Sequence, residues 1–565
     1  MRFALLACDY DGTIARNGEV DEETAWDLGR VRTSGRRVVL VTGRDLPTLR
    51  SVCPHLELFD RVVAENGALL YRPDDGSERA LADPPPRALV ERLRESGVPV
   101  DTGRAVVFTW KPNEVAAIEA IAELGLGHQV ILNRQAVMVV PPGVSKGSGL
   151  LAALDELHVS AHNVVAVGDA ENDHDLLANS ACGVAVGDAV PGLAERADHV
   201  TDAPGPEGTR ELISALLDDD LASWGIEVQP VPIGHAPDDT DVVWRPAGPS
   251  LLVTGGSGSG KSTLVSALIE RLTTAEYQLV VVDPEGDFQD LPGAVNVGTP
   301  QARPSAQQID DLVEAGTGTT VASLLAVPMN DRPGGTRELL GRLAEMVARL
   351  GRPHAVVVDE AHHAFPHDAP VDTGSLPSGL VLVTNAPDHL QHEVLAGVDT
   401  VVAVGDGVQS QIDAAAHGIG TEPPPARAAD GGAALAWWVA GGQLTWFDPF
   451  PARHRRRRHA SKMLAGDVGE DQRLLIVGPE GALSLEVRNL SEMVRIAEGV
   501  DDATWSYHRE HHDWSRWVRD VLDDGELADA IESVEFKDLD ADAARRALQE
   551  EVAARYSGLD GAESP

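Results

Sequence analysis

The stretch SLLVTGGSGSGKSTLVSALIERL, residues 250–272, admits few folds. A short apolar run, a glycine-rich turn and an amphipathic helical segment follow one another without a break. A buried strand that feeds a helix over so few residues belongs to an α/β layer, where the helix packs back on a parallel sheet. The same grammar recurs along the chain. RFALLAC, RRVVLVTG, RVVAENG and NVVAVGD lie before position 215, and YQLVVVD, HAVVVDE, GLVLVTN and TVVAVG lie after position 242. Each run ends on its C-terminal side in polar or small residues, where an open parallel sheet builds its ligand sites. Two such sheets are expected, separated by a Pro/Gly/Asp-rich stretch at 203–241.

A length of 565 residues suits roughly three domains. Residues 1–215 form the first α/β unit. DPPPRAL breaks its pattern, and residues 83–145 read as an inserted α/β module whose hairpin, QVILNRQAVMVV, turns near Asn133. Residues 216–241 read as a linker, 242–450 as the second α/β unit, 451–464 as a basic linker and 465–565 as a small α/β module. The chain carries 89 acidic against 46 basic residues, a net charge of −43. That balance favours solubility and argues against a nucleic-acid partner. Cys8, Cys53 and Cys182 lie far apart, without metal spacing, as in a reducing cytoplasm. The apolar start runs straight into Asp9, so no leader is expected. No apolar stretch approaches the ~18 residues of a membrane span.

Four pieces of the first unit belong together: DYDGT (9–13), VTGR (41–44), Lys146 in GVSKGSG, and GDAEND (168–173). Any one alone reads equally as a helix cap or solvated turn. Their joint occurrence, in this order and at strand ends, reads as a site. With the position of the insert and ENGA (65–68), residues 1–215 resemble the haloacid dehalogenase superfamily, in particular its Cof-type, type IIB phosphatases. The resemblance implies a Rossmann-like core with an α/β cap and Mg²⁺-dependent phosphomonoester hydrolysis. Asp9 would be the nucleophile and form an aspartyl-phosphate. Asp11 would protonate the leaving oxygen and then activate water. Residues two apart on an extended chain face the same side, so both carboxylates are expected at one phosphorus. Thr42 would bond a phosphate oxygen, and Lys146 would neutralise the transferring group. Asp9, the Asp11 carbonyl and Asp169 would hold the metal, with Asp173 nearby. The chain has only five lysines (111, 146, 261, 462 and 537), and one falls on the expected position. The short cap suits a small phosphorylated metabolite, a sugar phosphate or a phosphoglycolate-like compound. A catalytically dead scaffold is the bland alternative.

In the second unit, Gly255, Gly256, Ser257, Gly258, Ser259, Gly260, Lys261 and Ser262 fit G-x-x-x-x-G-K-[ST] between strand and helix, the context a P-loop needs. The loop and Thr263 would cradle the phosphates of ATP at the helix N-terminus. Lys261 would reach the β- and γ-phosphates, and Ser262 would hold Mg²⁺. HAVVVDEAHHAF ends its apolar run on Asp359, for Mg²⁺, and Glu360, for the attacking water. A base in that place favours hydrolysis over transfer to a metabolite. VVVDPEGDF and LVTNAP resemble the HerA/FtsK branch of RecA-like P-loop ATPases, which places Asn385 near the γ-phosphate. Such relatives are often hexameric DNA motors, so a homo-oligomer is one expectation. No arginine finger is assignable; Arg303 and Arg427 are candidates. The leading reading is a phosphatase fused to an ATPase. The rivals are a nucleic-acid-dependent motor and an ATP-gated regulatory phosphatase.

RHRRRRH (453–459) reads either as a phosphate or nucleic-acid patch or, preferably, as a basic strap on this acidic protein. Beyond it, Trp505, Trp514 and Trp517 flank His508, His511 and His512. His508 and His512 have the spacing of a shared helical face, and a metal pair is one reading. Core tryptophans with exposed histidines is the preferred one.

Overall fold

The computed structural model describes residues 1–133, 135–226, 228–256, 259–367, 373–405, 407–422, 433–453, 468, 473–478, 484–522 and 524–556. It divides into two units, Met1–Pro284 with Gly293–Ala452, and Glu285–Pro292 with Arg453–Pro565. The first unit contains two large sheets and the inserted module.

The first sheet has eight strands in the order His199–Val200, Cys182–Ala185, Val164–Gly168, Leu5–Asp9, Arg37–Val41, Arg61–Ala64, Leu69–Tyr71 and Glu78–Ala80. The first six are parallel, and the last two turn back antiparallel. Every residue of Leu5–Asp9 is buried. A strand covered on both faces must be apolar on both, which is why the run shows no alternation. Leu6 and Cys8 join one core, Leu5 and Ala7 the other. The register sets Asp9 opposite Val41 and Cys8 opposite Val167. Asp9, Thr42 and Asp169 therefore emerge along one edge.

The insert is an antiparallel sheet in the order Asp101–Thr102, Val107–Trp110, Ala136–Val140, Gln129–Asn133, covered by the helices Arg87–Glu95 and Glu114–Glu123. It has its own small core of Leu89, Leu93, Val107, Ala117, Val137 and Val139. The expected hairpin is present.

The second sheet has eleven strands. Seven are parallel, in the order Val398–Val404, Ser250–Thr254, Leu380–Thr384, Ala355–Val358, Leu279–Asp283, Thr319–Ser323 and Val295–Val297. Four antiparallel strands extend it beyond Val398–Val404. One of these, Val231–His235, falls inside the span read as a linker. It pairs with Asp241–Trp244 and with Gln443–Pro449. VPIGH is too short and too rich in Pro and Gly to announce a strand locally; a partner far along the chain supplies its pairing.

The two large sheets meet through buried polar side chains. Asn163 Nδ2 donates to the carbonyls of Arg2 (2.8 Å) and Gly351 (3.1 Å), and its Oδ1 lies 3.1 Å from His354 Nε2. His162 stacks on Tyr277 with ring centroids 3.7 Å apart, and its Nε2 lies 2.6 Å from the Ala275 carbonyl.

The second unit carries an antiparallel hairpin, Leu474–Val477 with Ser484–Val487, and the helices Leu490–Gly499, Asp502–Glu510, Asp513–Asp520, Gly525–Phe536 and Ala541–Tyr556. Trp505, Trp514 and Trp517 lie in its core, as expected. His508 does not lie outside. It is 3% exposed, accepts from the Val477 N–H at 3.0 Å and sits 2.7 Å from Asp513 Oδ2. His512 adopts φ +55° between two helices, so the shared helical face does not form. Among the described residues no helix is long and apolar enough to cross a membrane. Arg427 and residues 454–459 of the basic run lie outside the described residues.

Candidate active sites

The helix Lys146–Leu157 delivers Lys146 to the first site. Ser145 caps it reciprocally with Ser148, which fixes where it begins. Gly149 packs on Gly67: a Cβ on Gly149 would lie 2.6 Å from Gly67 Cα, and one on Gly67 would strike the Ser145 carbonyl. Only glycines let the helix start this close to the 65–67 turn.

Lys146 is buried with its Nζ between two carboxylates, Asp9 Oδ1 and Asp173 Oδ1, the latter at 2.5 Å. The Asp173 Oδ2 accepts from the backbone N–H groups of Asp169 (3.0 Å) and Ala170 (2.9 Å). Thr13 Oγ1 stands 3.2 Å from Asp9 Oδ2 and 3.3 Å from Asp169 Oδ1. Burial disfavours the charge on Lys146, but Asp173 and Asp9 outweigh it and hold the ammonium above the usual lysine range. Burial, then the charge of Asp173, push Asp9 well above the usual carboxylate range, against the pull of Lys146.

Oxygens of Asp9, Asp169 and Asp173 lie within 4.8 Å of one another. Three buried carboxylates around one ammonium leave an excess of negative charge, and oxygen donors of this kind suit a hard divalent cation. The donor set thus fits the expected metal.

Asp11 has a partner that the sequence reading does not include. Its carboxylate is gripped by Arg44, Nε to Oδ2 at 2.6 Å and Nη2 to Oδ1 at 2.7 Å. Thr42 is buried, and its hydroxyl accepts from the Arg44 N–H at 3.2 Å. Residue type alone does not point to Arg44, to Thr13 or to Asn172, which bonds Asn66 Oδ1 at 3.1 Å. Arg44 ends VTGR and Asn172 lies within GDAEND, and that proximity is the signal the sequence offers.

In the second site, the strand Ser250–Thr254 leads into Gly255 and Gly256, and Gly260, at φ +98°, opens the helix Lys261–Thr274. Lys261 is mostly buried, and its Nζ donates to the carbonyls of Gly255 and Gly256, both at 2.8 Å. Ser259 packs under Gly255 and Gly405, where a Cβ on either would come within 2.5 Å of it. Ser262 is half-buried and Thr263 exposed. Ser257 and Gly258 lie outside the described residues. Asp359 is buried just past the strand Ala355–Val358, and Glu360 follows at φ +45°. His362 Nδ1 lies 3.4 Å from Glu360 Oε2 and 3.0 Å from Thr384 Oγ1. The strand Leu380–Thr384 runs between the P-loop strand and the Asp359 strand, so exposed Asn385 emerges between Lys261 and Asp359. Arg303 pairs with Asp331 at 3.6 Å.

Fold and site together define a parallel α/β core with a buried carboxylate–lysine site and a small cap, joined to a large mixed sheet that carries a P-loop. Residues 6–95 and 116–209 match the haloacid dehalogenase-like hydrolase family, and residues 241–382 match the AAA ATPase domain. The phosphoglycolate phosphatase of Aeropyrum pernix is 31% identical over 226 residues, which cover 38% of this chain and 93% of that protein. That of Pyrobaculum aerophilum is 33% identical over 226 residues, covering 38% of this chain and 97% of that protein. The solved structure of Thermoplasma acidophilum 0175 aligns with a TM-score of 0.34 at 16% identity, over 38% of this chain and 99% of that one. Through residues 6–209 the chain belongs to the haloacid dehalogenase-like hydrolases, and an AAA ATPase domain follows in the same polypeptide.

Proposed function

We propose that the chain hydrolyses a small phosphomonoester at Asp9 and binds and hydrolyses ATP at the P-loop. The observation that carries the first part is the buried cluster of Asp9, Lys146, Asp173 and Asp169. An Asp9 oxygen attacks phosphorus, and the bond to the leaving oxygen breaks as Asp11 gives that oxygen its proton. Water then attacks the aspartyl-phosphate, returning its proton to Asp11 and releasing phosphate from Asp9. Arg44 bonds both oxygens of Asp11, so it must loosen its grip for one of them to reach the leaving oxygen. Lys146 and Thr42 hold the transferring group. Mg²⁺ held by Asp9, the Asp11 carbonyl and Asp169, with Asp173 behind, would supply charge neutralisation when bound.

The names of the relatives make phosphoglycolate the first substrate to try, with sugar phosphates next. At the second site, Lys261, Ser262, Asp359, Glu360 and Asn385 take the roles expected of them with ATP and Mg²⁺. VVVDPEGDF and LVTNAP support the HerA/FtsK branch. Three buried free cysteines suit the cytoplasm. We assign residues 1–215 to the phosphatase, with 83–145 as its cap, and 231–450 to the ATPase.

A second reading, that ATP gates the phosphatase, is favoured by the buried bond between Asn163 and His354. The deciding experiment is a screen of phosphorylated metabolites with and without ATP. Release of phosphate from a metabolite supports the first reading, and a rate that changes with ATP supports gating. No turnover of any phosphomonoester, with Mg²⁺ present, would sink both.

A further inference from the structure

Glu65 belongs to the phosphatase core, yet its carboxylate bonds only to the cap among the hydrogen bonds described. Oε1 accepts from the backbone N–H of Arg104 at 2.8 Å, and Oε2 from those of Ala105 at 3.1 Å and Val106 at 3.3 Å. These amides form the turn between the cap strands Asp101–Thr102 and Val107–Trp110, closed by the Gly103 N–H on the Val106 carbonyl at 2.9 Å. Glu65 is 1% exposed. A carboxylate so far from water persists only where strong donors replace its hydration, and three backbone N–H groups do so here.

The backbone around Glu65 is held as tightly as its side chain. Glu65, Asn66 and Gly67 have φ +52°, +54° and +106°. Successive left-handed residues that are not glycine are rare and need a surrounding structure that enforces them. Here the Glu65 N–H bonds the Arg44 carbonyl at 2.8 Å, and the Asn66 N–H bonds the Thr42 carbonyl at 3.0 Å. The Asn66 side chain accepts from Asn172. One strained turn thus touches the Thr42–Arg44 loop, the Asp169–Asp173 turn and the cap. The cap's other hairpin reaches the same two loops. Its strand Gln129–Asn133 packs against Glu171–Asp173. A Cβ on Gly43 would lie 3.4 Å from Met138 Sδ and 3.8 Å from Asn133 Nδ2.

We propose that Glu65 is a positioning residue of the phosphatase site. Its carboxylate registers the cap on the core, so that Asn133 and Met138 stand at a fixed height above the Thr42–Arg44 loop and set which leaving groups fit. The proposal rests on the phosphatase reading given above.

Two single variants test it from opposite sides. Glu65→Gln keeps the shape but turns one acceptor into an N–H₂ group facing backbone donors. Gly103→Ala leaves the charge intact and drives a methyl to within 2.3–2.5 Å of the Glu65 carboxyl atoms. In both, KM for the best metabolite substrate should rise about tenfold or more, the scale of a lost charged hydrogen bond. Turnover of a small aryl phosphate, which asks little of the cap, should change far less. Hydrogen exchange at the amides of Arg104, Ala105 and Val106 should quicken, while the strand Leu5–Asp9 stays protected. Combining Gly103→Ala with Glu65→Asp, one methylene shorter, should recover part of the lost KM. Unchanged KM and unchanged exchange in both single variants would overturn the proposal, and if Glu65→Gln does not fold, Gly103→Ala decides alone. A wild-type protein inactive on every phosphomonoester would count against the phosphatase reading instead, and the exchange data would still decide whether Glu65 anchors the cap.

Discussion

Asn163 Oδ1 and His354 Nε2 lie 3.1 Å apart, and each residue stands immediately before the strand that carries a candidate metal carboxylate at its far end. Asn163 precedes Val164–Gly168, which runs to Asp169, and His354 precedes Ala355–Val358, which runs to Asp359. Asn163 gives both of its side-chain N–H bonds to carbonyls, so its oxygen is the acceptor. His354 Nδ1 accepts from the Gln278 N–H at 2.9 Å, which leaves the proton on Nε2. Protonation would put a second N–H on Nδ1, facing the Gln278 N–H, so this arrangement holds only while the imidazole is neutral.

That requirement fixes a pH dependence. Burial, with the charges of His162 and Arg352 nearby, lowers the His354 pKa to about 3. The unfolded histidine takes up a proton near pH 6.5. Between these values the unfolded chain holds more protons, so stability falls as pH falls through the window and levels off above it, at about 1.4 kcal/mol per pH unit. His354→Gln cannot titrate. It should be less stable at pH 7.5 and lose less stability on acidification than the wild type. His162, whose pKa burial also lowers, titrates in both proteins and cancels. Denaturation midpoints from pH 4 to 8 give the comparison, and parallel curves would remove His354 from this role.

Asp9→Asn should abolish phosphate release from an aryl phosphate, because an amide is a poor nucleophile, and leave ATP hydrolysis nearly intact. Chelation of divalent cations should abolish the same activity in the wild type, and Mg²⁺ should restore it. A fully active Asp9→Asn protein would exclude the covalent route.

Lys261→Ala should eliminate ATP binding. Glu360→Gln should keep binding and slow hydrolysis at least about a hundredfold, the usual scale for a catalytic base. Nucleotide binding and steady-state hydrolysis separate the two effects. Hydrolysis at the normal rate in Glu360→Gln would take Glu360 out of that role.

DNA should bind weakly and without sequence preference at physiological salt, since phosphate neutralisation supplies most nonspecific affinity and this chain has 89 acidic residues against 46 basic ones. Anisotropy titrations of a labelled duplex and a single strand, at two salt concentrations with ATP, measure it. Submicromolar, steeply salt-dependent binding with stimulated ATP hydrolysis would put the motor reading first.

The strands that lead to Asp9, Asp169, the P-loop and Asp359 were legible because their signal is local: a short apolar run, then a polar or glycine stop. Residues whose meaning depends on a distant partner were not. Nothing near Glu65 announces the amides of residues 104–106, and nothing near Asp11 announces that Arg44 will hold it. His508 read as exposed because its neighbours are polar, but its partner is the main chain of Val477. Val231–His235 joins the large sheet through Gln443–Pro449, more than 200 residues away.

That last pairing makes the ATPase sheet a cassette. Gly234 lies opposite Pro449 and His235 opposite Asp448, and the Phe450 N–H bonds the Ile233 carbonyl at 3.1 Å. Adjacent antiparallel strands stand about 5 Å apart, so the polypeptide enters and leaves this sheet side by side. An ancestor lacking residues 231–449 would need only a short splice to close the gap. The ATP-handling part could therefore have been inserted, or be excised, as one piece, without rethreading the strands of the phosphatase core.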